Sequence, residues 1–354
     1  MTKILTIGPS PYRSKGGMAT VIKGMEEDHK LNSEFDLDVY ESYIDGNLVI
    51  RLFFSIHSFI RFCFIYKKYD VFHIHVACYG STFRKGMYVR FLKKRAKKVI
   101  LHVHGAEYLV FYNKLSNKRK KIVKDIWHKC DVIIALSEEW KIEFEKIFQH
   151  PRIVVINNGI DVQKFKEGRN SIESYNKNFL FLGRLGKRKG AWDVLEAVKK
   201  IKNIYPDIKV YMAGDGEIEK VKEKVGAEDL THQIFVVGWI DYGQKIELMK
   251  KTATLLLPSY NEGLPMSILE SMAAGKVILT TDVGGIPAVI KNNENGIVIK
   301  PGDIDALANA MISIIENDDF VIRCSDNNLK KIEDYFSIEK THRKIMDVYN
   351  VVLK

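Results

Sequence analysis

Apolar strand-length runs alternate with helix-length stretches along nearly the whole chain, and no other feature narrows its fold so far. Runs at 4–7, 71–74, 99–103, 132–136 and 153–156 are separated by helical patterns near 17–31, 52–67, 82–94, 115–129 and 138–148. A polar stretch, 166–178, intervenes. A second series then begins, with runs at 179–182, 208–213, 234–237, 254–257, 277–280 and 296–299 and helices between them. Near-continuous Val, Ile and Leu runs joined through helices mean parallel sheets covered on both faces. The expected architecture is α/β, with Rossmann-like domains over 1–165 and 166–335 and a last helix within 336–354. At roughly 100–200 residues per domain, 354 residues suit two domains, each with its own core. Two such sheets place a cleft between them, with ligands at the carboxyl ends of the strands.

Composition bounds the setting. Cys63, Cys78, Cys130 and Cys324 are scattered, with no CxxC pair, which points to free thiols in a reducing compartment. The opening residues 1–7 are broken by Gly8-Pro9, too early for a signal peptide. The apolar stretch 52–66 is interrupted by His57 and Arg61 and falls short of the ~20 residues that span a bilayer. The expected location is cytoplasmic, soluble or peripheral at the inner face of the membrane.

The net charge of +11 is unevenly placed. Residues 1–165 hold 28 Lys and Arg against 17 Asp and Glu, whereas 166–354 hold 27 of each. Eight cations fall between Arg84 and Lys98 with no acid among them, and a second cluster runs from Lys114 to Lys124. Such patches attract phosphate, whether of nucleic acid or of anionic lipid. The stretch 51–68 is aromatic nearly all round and lacks acids, which argues against nucleic acid and for a membrane surface. A buried core helix is the other reading of 52–66.

Four features fall at the carboxyl ends of expected strands. After 4–7, Gly8-Pro-Ser-Pro-Tyr-Arg-Ser-Lys-Gly-Gly17 precedes a helix. The paired Gly16 and Gly17 let backbone N–H groups approach an anion, and Arg13 and Lys15 add positive charge toward a lipid phosphate. Neither a GxGxxG fingerprint nor a P-loop is present. After 179–182, Gly183-Arg184-Leu-Gly-Lys-Arg-Lys189-Gly190 offers a planar guanidinium and a point-charge ammonium, which suit a diphosphate. After 254–257 comes Pro258-Ser-Tyr-Asn-Glu262-Gly263-Leu264-Pro265-Met266, followed by Glu270. With Pro265 at the first helical position, Glu262 lies in a loop facing sugar hydroxyls. Glu270 lies in the second turn, where its carboxylate can hold a vicinal diol such as a ribose. Backbone N–H groups at 264–266 face the same ligand. Finally, His73-Ile-His75 and His102-Val-His104 set two His-x-His pairs on neighbouring strands. They form a conceivable metal constellation, but no carboxylate or cysteine cluster accompanies them. His104, beside Gly105, suits an active-site polar group, while His73 and His102 read as core histidines with hydrogen-bond partners.

As an ordered set these residues resemble the retaining glycosyltransferases of family four, which have the GT-B fold of two facing Rossmann-like domains. The resemblance covers nearly the whole chain and is strongest over 157–298. It rests on Asn157-Asn-Gly-Ile-Asp161, Gly183-Arg-Leu with Lys189-Gly190, Ala213-Gly-Asp215-Gly216, the pair Glu262 and Glu270, and Asp282-Val-Gly-Gly285. It implies that Arg184 and Lys189 hold the donor diphosphate and stabilise it as it leaves. It implies that Glu262 contacts the transferred sugar, Glu270 the ribose, and His104 the donor sugar. Gly16 and Gly17 would close over the phosphates, with Asp215 and 263–266 on the donor side, and the last helix would cross back to the first domain. Val277 and Ala288 stand where relatives often have Pro and Glu, a departure that bears on donor choice and leaves the diphosphate grip intact.

The chemistry agrees. Cleavage of a glycosyl–phosphate bond puts negative charge on the diphosphate, and fixed cations stabilise it without a metal or other cofactor. The conspicuous Asp303-Ile-Asp305 follows Pro301-Gly302 and reads as a helix N-cap. No nucleophile for a double displacement stands out, so attack by the acceptor on the face the diphosphate leaves is favoured. The expected donor is a UDP-hexose or UDP-N-acetylhexosamine, with GDP-mannose the alternative. The expected acceptor is a lipid-diphosphate-linked saccharide of O-antigen or capsule synthesis at an anionic inner-membrane surface, with no nucleic-acid partner. A nucleotide-sugar 2-epimerase on the same fold and a non-catalytic membrane-bound scaffold are the competing readings.

Overall fold

A computed structural model of the chain describes residues 1–14, 16–105, 107–169 and 177–354. The chain divides into two compact units, Met1–Gly159 with Ile338–Lys354, and Ile160–Ser337. The first division falls at Gly159 and Ile160 rather than after residue 165, and the return falls at Ile338 rather than at 336.

The first unit is built on β1 (Lys3–Pro9), β2 (Asp36–Tyr43), β3 (Val71–Val76), β4 (Lys98–Val103), β5 (Val132–Ala135) and β6 (Ile153–Val155). They form one sheet in the order β2-β1-β3-β4-β5-β6, with every pairing parallel. The alternation of apolar runs foresees all of these except β2. That strand lies at an edge with half-exposed Asp36, Asp38 and Glu41, so it lacks the continuous apolar run of a central strand. The helix expected over 17–31 is broken because Asp28 caps a second short helix through Leu31 N.

Strand alternation sends side chains to two cores. Leu5, Ile7, Phe72, Ile74, Leu101 and Val103 meet Phe62, Tyr88, Trp127, Phe144 and Phe148 on one face. On the other, Ile4, Val71, Ile100, Val132 and Ile134 are covered by Ile345, Met346, Tyr349 and Val352 of the carboxyl-terminal helix Ile338–Leu353. Polar contacts also hold that helix: Tyr349 Oη lies 2.8 Å from His73 Nδ1, His342 Nδ1 lies 2.6 Å from Asp28 Oδ2, and Thr341 Oγ1 donates to Asn157 O at 3.2 Å. The core-helix reading of 52–66 does not hold. The helix Leu48–Ile65 buries Ser55, Ser58 and Phe62 alone.

The second unit carries β7 (Phe179–Leu182), β8 (Val210–Ala213), β9 (Ile234–Gly238), β10 (Thr254–Leu257), β11 (Val277–Thr281) and β12 (Gly296–Ile299). Their order is β12-β11-β10-β7-β8-β9, all parallel. The chain winds outward from β7 through β8 and β9, then from β10 in the opposite direction. The crevice at such a reversal is where open parallel sheets take ligands. It lies between the carboxyl ends of β7 and β10. Asp303 caps the helix Ile304–Glu316 by accepting from Ala306 N, as its sequence position suggests.

Replacing Tyr349 by Phe leaves the buried His73 nitrogen without its partner. The first unit should lose about 1–3 kcal/mol of unfolding free energy in equilibrium urea denaturation, and an unchanged midpoint would show that this contact does not hold the helix.

Candidate active site

The loop leaving β7 turns back at once. Lys187–Lys189 forms a single 3-10 turn that ends at Gly190, whose φ is 72°. A Cβ at Gly190 would stand 2.1 Å from the Pro258 carbonyl oxygen, so only glycine lets this turn lie against the segment leaving β10. The two segments are sewn together: Tyr260 N donates to Arg188 O at 2.8 Å, and Arg188 Nη1 donates to Asn261 O at 3.1 Å.

That contact delivers Lys189 to Glu262. The ammonium donates to Glu262 Oε1, which also accepts from Ser259 Oγ at 2.7 Å. Arg188 Nη1 stands 3.9 Å from the other carboxylate oxygen, and Glu262 is buried, at 4% exposure. Burial lowers the pKa of Lys189, the pull of Glu262 notwithstanding, and the neighbouring Arg188 lowers it further. Behind the carboxylate, the loop after β11 supports the backbone. A Cβ at Gly284 (φ 56°) would stand 1.7 Å from Glu262 O, and Gly285 N donates to Gly263 O at 2.7 Å. Asp282-Val-Gly-Gly285 is thus a backbone brace.

Past Glu262 the chain enters the helix Met266–Ala273. Pro265, expected at the first helical position, is instead its N-cap. The segment Gly263-Leu264-Pro265-Met266 is buried, and Glu270 faces inward with Lys245 Nζ at 2.8 Å. Arg184 takes a different place. Its guanidinium is mostly exposed and lies 3.6 Å from Asp215, on the loop after β8 that hydrogen-bonds the Arg184-Leu185 segment through Leu185 N to Asp215 O at 2.6 Å. The carboxyl ends of β7, β8 and β10 therefore present a buried Lys189–Glu262 pair, a buried Glu270 and an exposed Arg184–Asp215 pair. Arg188, Ser259 and Lys245 belong to this set and were not foreseen. The only sequence signal for Arg188 is the Lys187-Arg188-Lys189 run, and none marks the other two.

The remaining candidates belong to the first unit. Gly16, with φ 117°, opens the helix Gly17–Glu27, and its carbonyl accepts from Ala19 N and Thr20 N. Arg13 pairs with Glu41 at the end of β2. Lys15 lies outside the described residues. His104 follows β4, with its Nε2 2.8 Å from His75 Nδ1, and burial lowers its pKa to about 3, so it serves as a neutral imidazole. His73, His75, His102 and His104 form a stack on the face covered by the carboxyl-terminal helix. Ligand nitrogens of His73, His75 and His102 lie within 4.8 Å of one another. His73 is engaged on both sides, by Tyr349 and by His102, whereas His75 Nε2 and His102 Nε2 lack protein partners.

Residues 162–331 match the family model described as "Glycosyl transferases group 1", and residues 25–164 match "Glycosyltransferase Family 4". A relative in Escherichia coli, named UDP-Gal:alpha-D-GlcNAc-diphosphoundecaprenol alpha-1,3-galactosyltransferase, is 28% identical over 307 residues, covering 80% of this chain and 76% of its own. The capsular polysaccharide biosynthesis glycosyltransferase CapM of Staphylococcus aureus is 26% identical over 235 residues, 63% of this chain and 62% of its own. Among solved structures, sucrose-phosphate synthase from Thermosynechococcus elongatus superposes with a TM-score of 0.82 at 17% identity, over 100% of this chain and 99% of that one. Anabaena HepE in complex with UDP-glucose gives 0.77 at 15% identity, over 99% and 100%. These neighbours share the two-domain GT-B fold.

Exchange of Lys189 for Met strands the Glu262 carboxylate with a hydroxyl and a distant guanidinium. Chemical denaturation should register a loss of about 3–5 kcal/mol in the second unit, and the double change Lys189→Met, Glu262→Gln should recover part of it. Equal stability of the two variants would show that the pair is not coupled.

Proposed function

The chain belongs to glycosyltransferase family four, and from that premise we propose that it moves a hexose or N-acetylhexosamine from a UDP-linked donor to a lipid-diphosphate-linked saccharide, with retention at the anomeric carbon. The observation that carries this reading is the buried Lys189–Glu262 pair at the reversal point of the second sheet, with Glu270 on the helix that follows. A donor diphosphate set against the held ammonium of Lys189, with the exposed Arg184 guanidinium on the same loop free to turn onto it, meets two cations of complementary geometry. As the glycosyl–phosphate bond breaks, charge grows on the diphosphate, and cations already in place stabilise it without reorganising. Glu262, bonded to the same ammonium, is positioned to accept from sugar hydroxyls. Glu270 accepts from the two ribose hydroxyls. With the cations fixed in the chain, the reaction proceeds without a metal, and His104 contributes a neutral imidazole to the sugar. The acceptor hydroxyl attacks on the face the diphosphate leaves and passes its proton to the departing phosphate oxygen, which accounts for retention with no covalent intermediate.

The UDP donor is supported by the names of the E. coli relative and of the HepE complex. The lipid-diphosphate acceptor, in O-antigen or capsule synthesis, is supported by the same relative, by CapM and by the excess of cations in residues 1–165. That excess and the apolar helix Leu48–Ile65 support peripheral residence at the inner membrane face. Arg13 is assigned to the lipid phosphate in this reading.

A panel of UDP- and GDP-sugars, scored for nucleoside diphosphate release with and without a lipid-diphosphate saccharide, tests the assignment. A UDP-sugar should give acceptor-dependent release, insensitive to EDTA. Lys189→Ala and Glu262→Ala should each lower kcat by about 10²–10³. Turnover unaffected by either change would refute the roles given to them, and acceptor-independent interconversion of sugars would favour the epimerase.

A further inference from the structure

The helix Leu48–Ile65 is inverted relative to an ordinary amphipathic helix. Its inward side is polar and aromatic: Tyr40 Oη donates to Ser58 O at 2.6 Å, Ser58 Oγ donates to Glu41 O at 2.9 Å, and Phe59 and Phe62 pack edge-on or tilted against Tyr88 and Phe91. Its outward side carries Val49, Phe53, Ile56, Ile60 and Phe64 at helical spacing. Phe53 is 70% exposed and Phe64 79%. By length and composition the segment Leu48–Lys68 could cross a membrane, but its inner side is bonded to β2. Crossing would strip that edge strand of its partners. The exposed stripe can enter lipid only with the helix lying in the plane of the bilayer.

At the foot of this helix, where β2 ends, cations converge. Arg13 pairs with Glu41 and lies 5.2 Å over the Phe54 ring. Arg84 lies 5.0 Å over Tyr43, and Arg51, in the first turn of the helix, is hydrogen-bonded to the same tyrosine. Arg51 Nε is buried and has no hydrogen-bond partner. Lys85, buried behind them, donates to Ser42. Among the described residues, Glu41 and Asp45 stand against the three guanidinium groups, and Arg51 and Arg84 repel one another. Guanidinium groups gathered at this density are favourable when a multivalent anion sits among them.

We propose that Arg13, Arg51 and Arg84 bind the diphosphate of the lipid-linked acceptor, while the outward face of the helix Leu48–Ile65 lies in the bilayer surface that holds its lipid tail. The site gives the acceptor a fixed point of entry: the anion is held at the carboxyl end of β2 and the apolar stripe begins in the next turn of chain. This deepens the reading of a lipid-diphosphate acceptor and rests on it.

Full-length protein is sedimented with neutral phosphatidylcholine vesicles, plain or carrying undecaprenyl diphosphate or an equal charge of phosphatidylglycerol. Undecaprenyl diphosphate should raise binding roughly tenfold or more over plain vesicles. Inorganic diphosphate should compete that increment away. Arg13→Gln with Arg51→Gln, and separately Arg84→Gln, should abolish the increment, whereas Phe53→Ser with Phe64→Ser should abolish sedimentation with every vesicle. Survival of the increment in both arginine variants, or an equal increment with phosphatidylglycerol, overturns the diphosphate site. Retention of the double serine variant on vesicles overturns the insertion. UDP-sugar is added to each protein in parallel and its melting temperature followed. A donor that shifts none of them marks failure of the donor reading, independently of the lipid result.

Discussion

One shared hydrogen bond organises the second unit: a largely covered ammonium on the turn after β7 meets a buried carboxylate on the loop after β10. Neither charge could remain in so dry a place alone. Everything nearby serves that meeting. Gly190 permits the backbone crossing, Tyr260 and Arg188 hold the two loops together, and the Gly284-Gly285 brace keeps the carboxylate from retreating. The cost of placing these groups is met by a rigid parallel sheet whose central strands β7, β10 and β11 are buried along their whole length. A fixed cation next to a fixed hydrogen-bond acceptor is what a reaction needs when one end of a bond turns negative and the other must be held by its hydroxyls.

The first unit solves a different problem. Its sheet carries four histidines on the face toward the carboxyl-terminal helix, where most such sheets carry aliphatic residues. They are tolerated because stacking and hydrogen bonds engage most of the ring nitrogens, and because burial keeps them neutral. His104 ends this stack at the carboxyl edge of β4. Its ring orientation is therefore set by His75 and, further back, by the packing that Tyr349 shares.

Much of this is legible in the sequence because parallel strands announce themselves as apolar runs and functional loops follow strand ends by rule. Arg184, Lys189, Glu262 and Glu270 all lie just past such runs, and the structure sets each at the carboxyl end of a strand or in the helix beyond it. What escapes the sequence is pairing across distance. Lys189 and Glu262 are 73 residues apart, His73 and Tyr349 are 276 apart, and nothing local joins Lys245 to Glu270. Edge strand β2 escapes because half-exposure removes the apolar run. The helix over Leu48–Ile65 reads as aromatic all round, so composition alone leaves its environment open. The partners of Ser58 and Phe62, outside the helix, decide which side faces protein.

The chain leaves the first unit at Gly159 and re-enters it at Ile338, and Ile160 and Ser337 are joined by a parallel bridge. During vectorial synthesis the second unit can therefore complete its sheet while the first still lacks the helix that covers Ile4, Val71, Ile100 and Val132. Those side chains, and the histidines beside them, stay open to solvent until Ile338–Lys354 emerge. A nascent protein of this design is at its most adhesive between completion of the second unit and arrival of that helix.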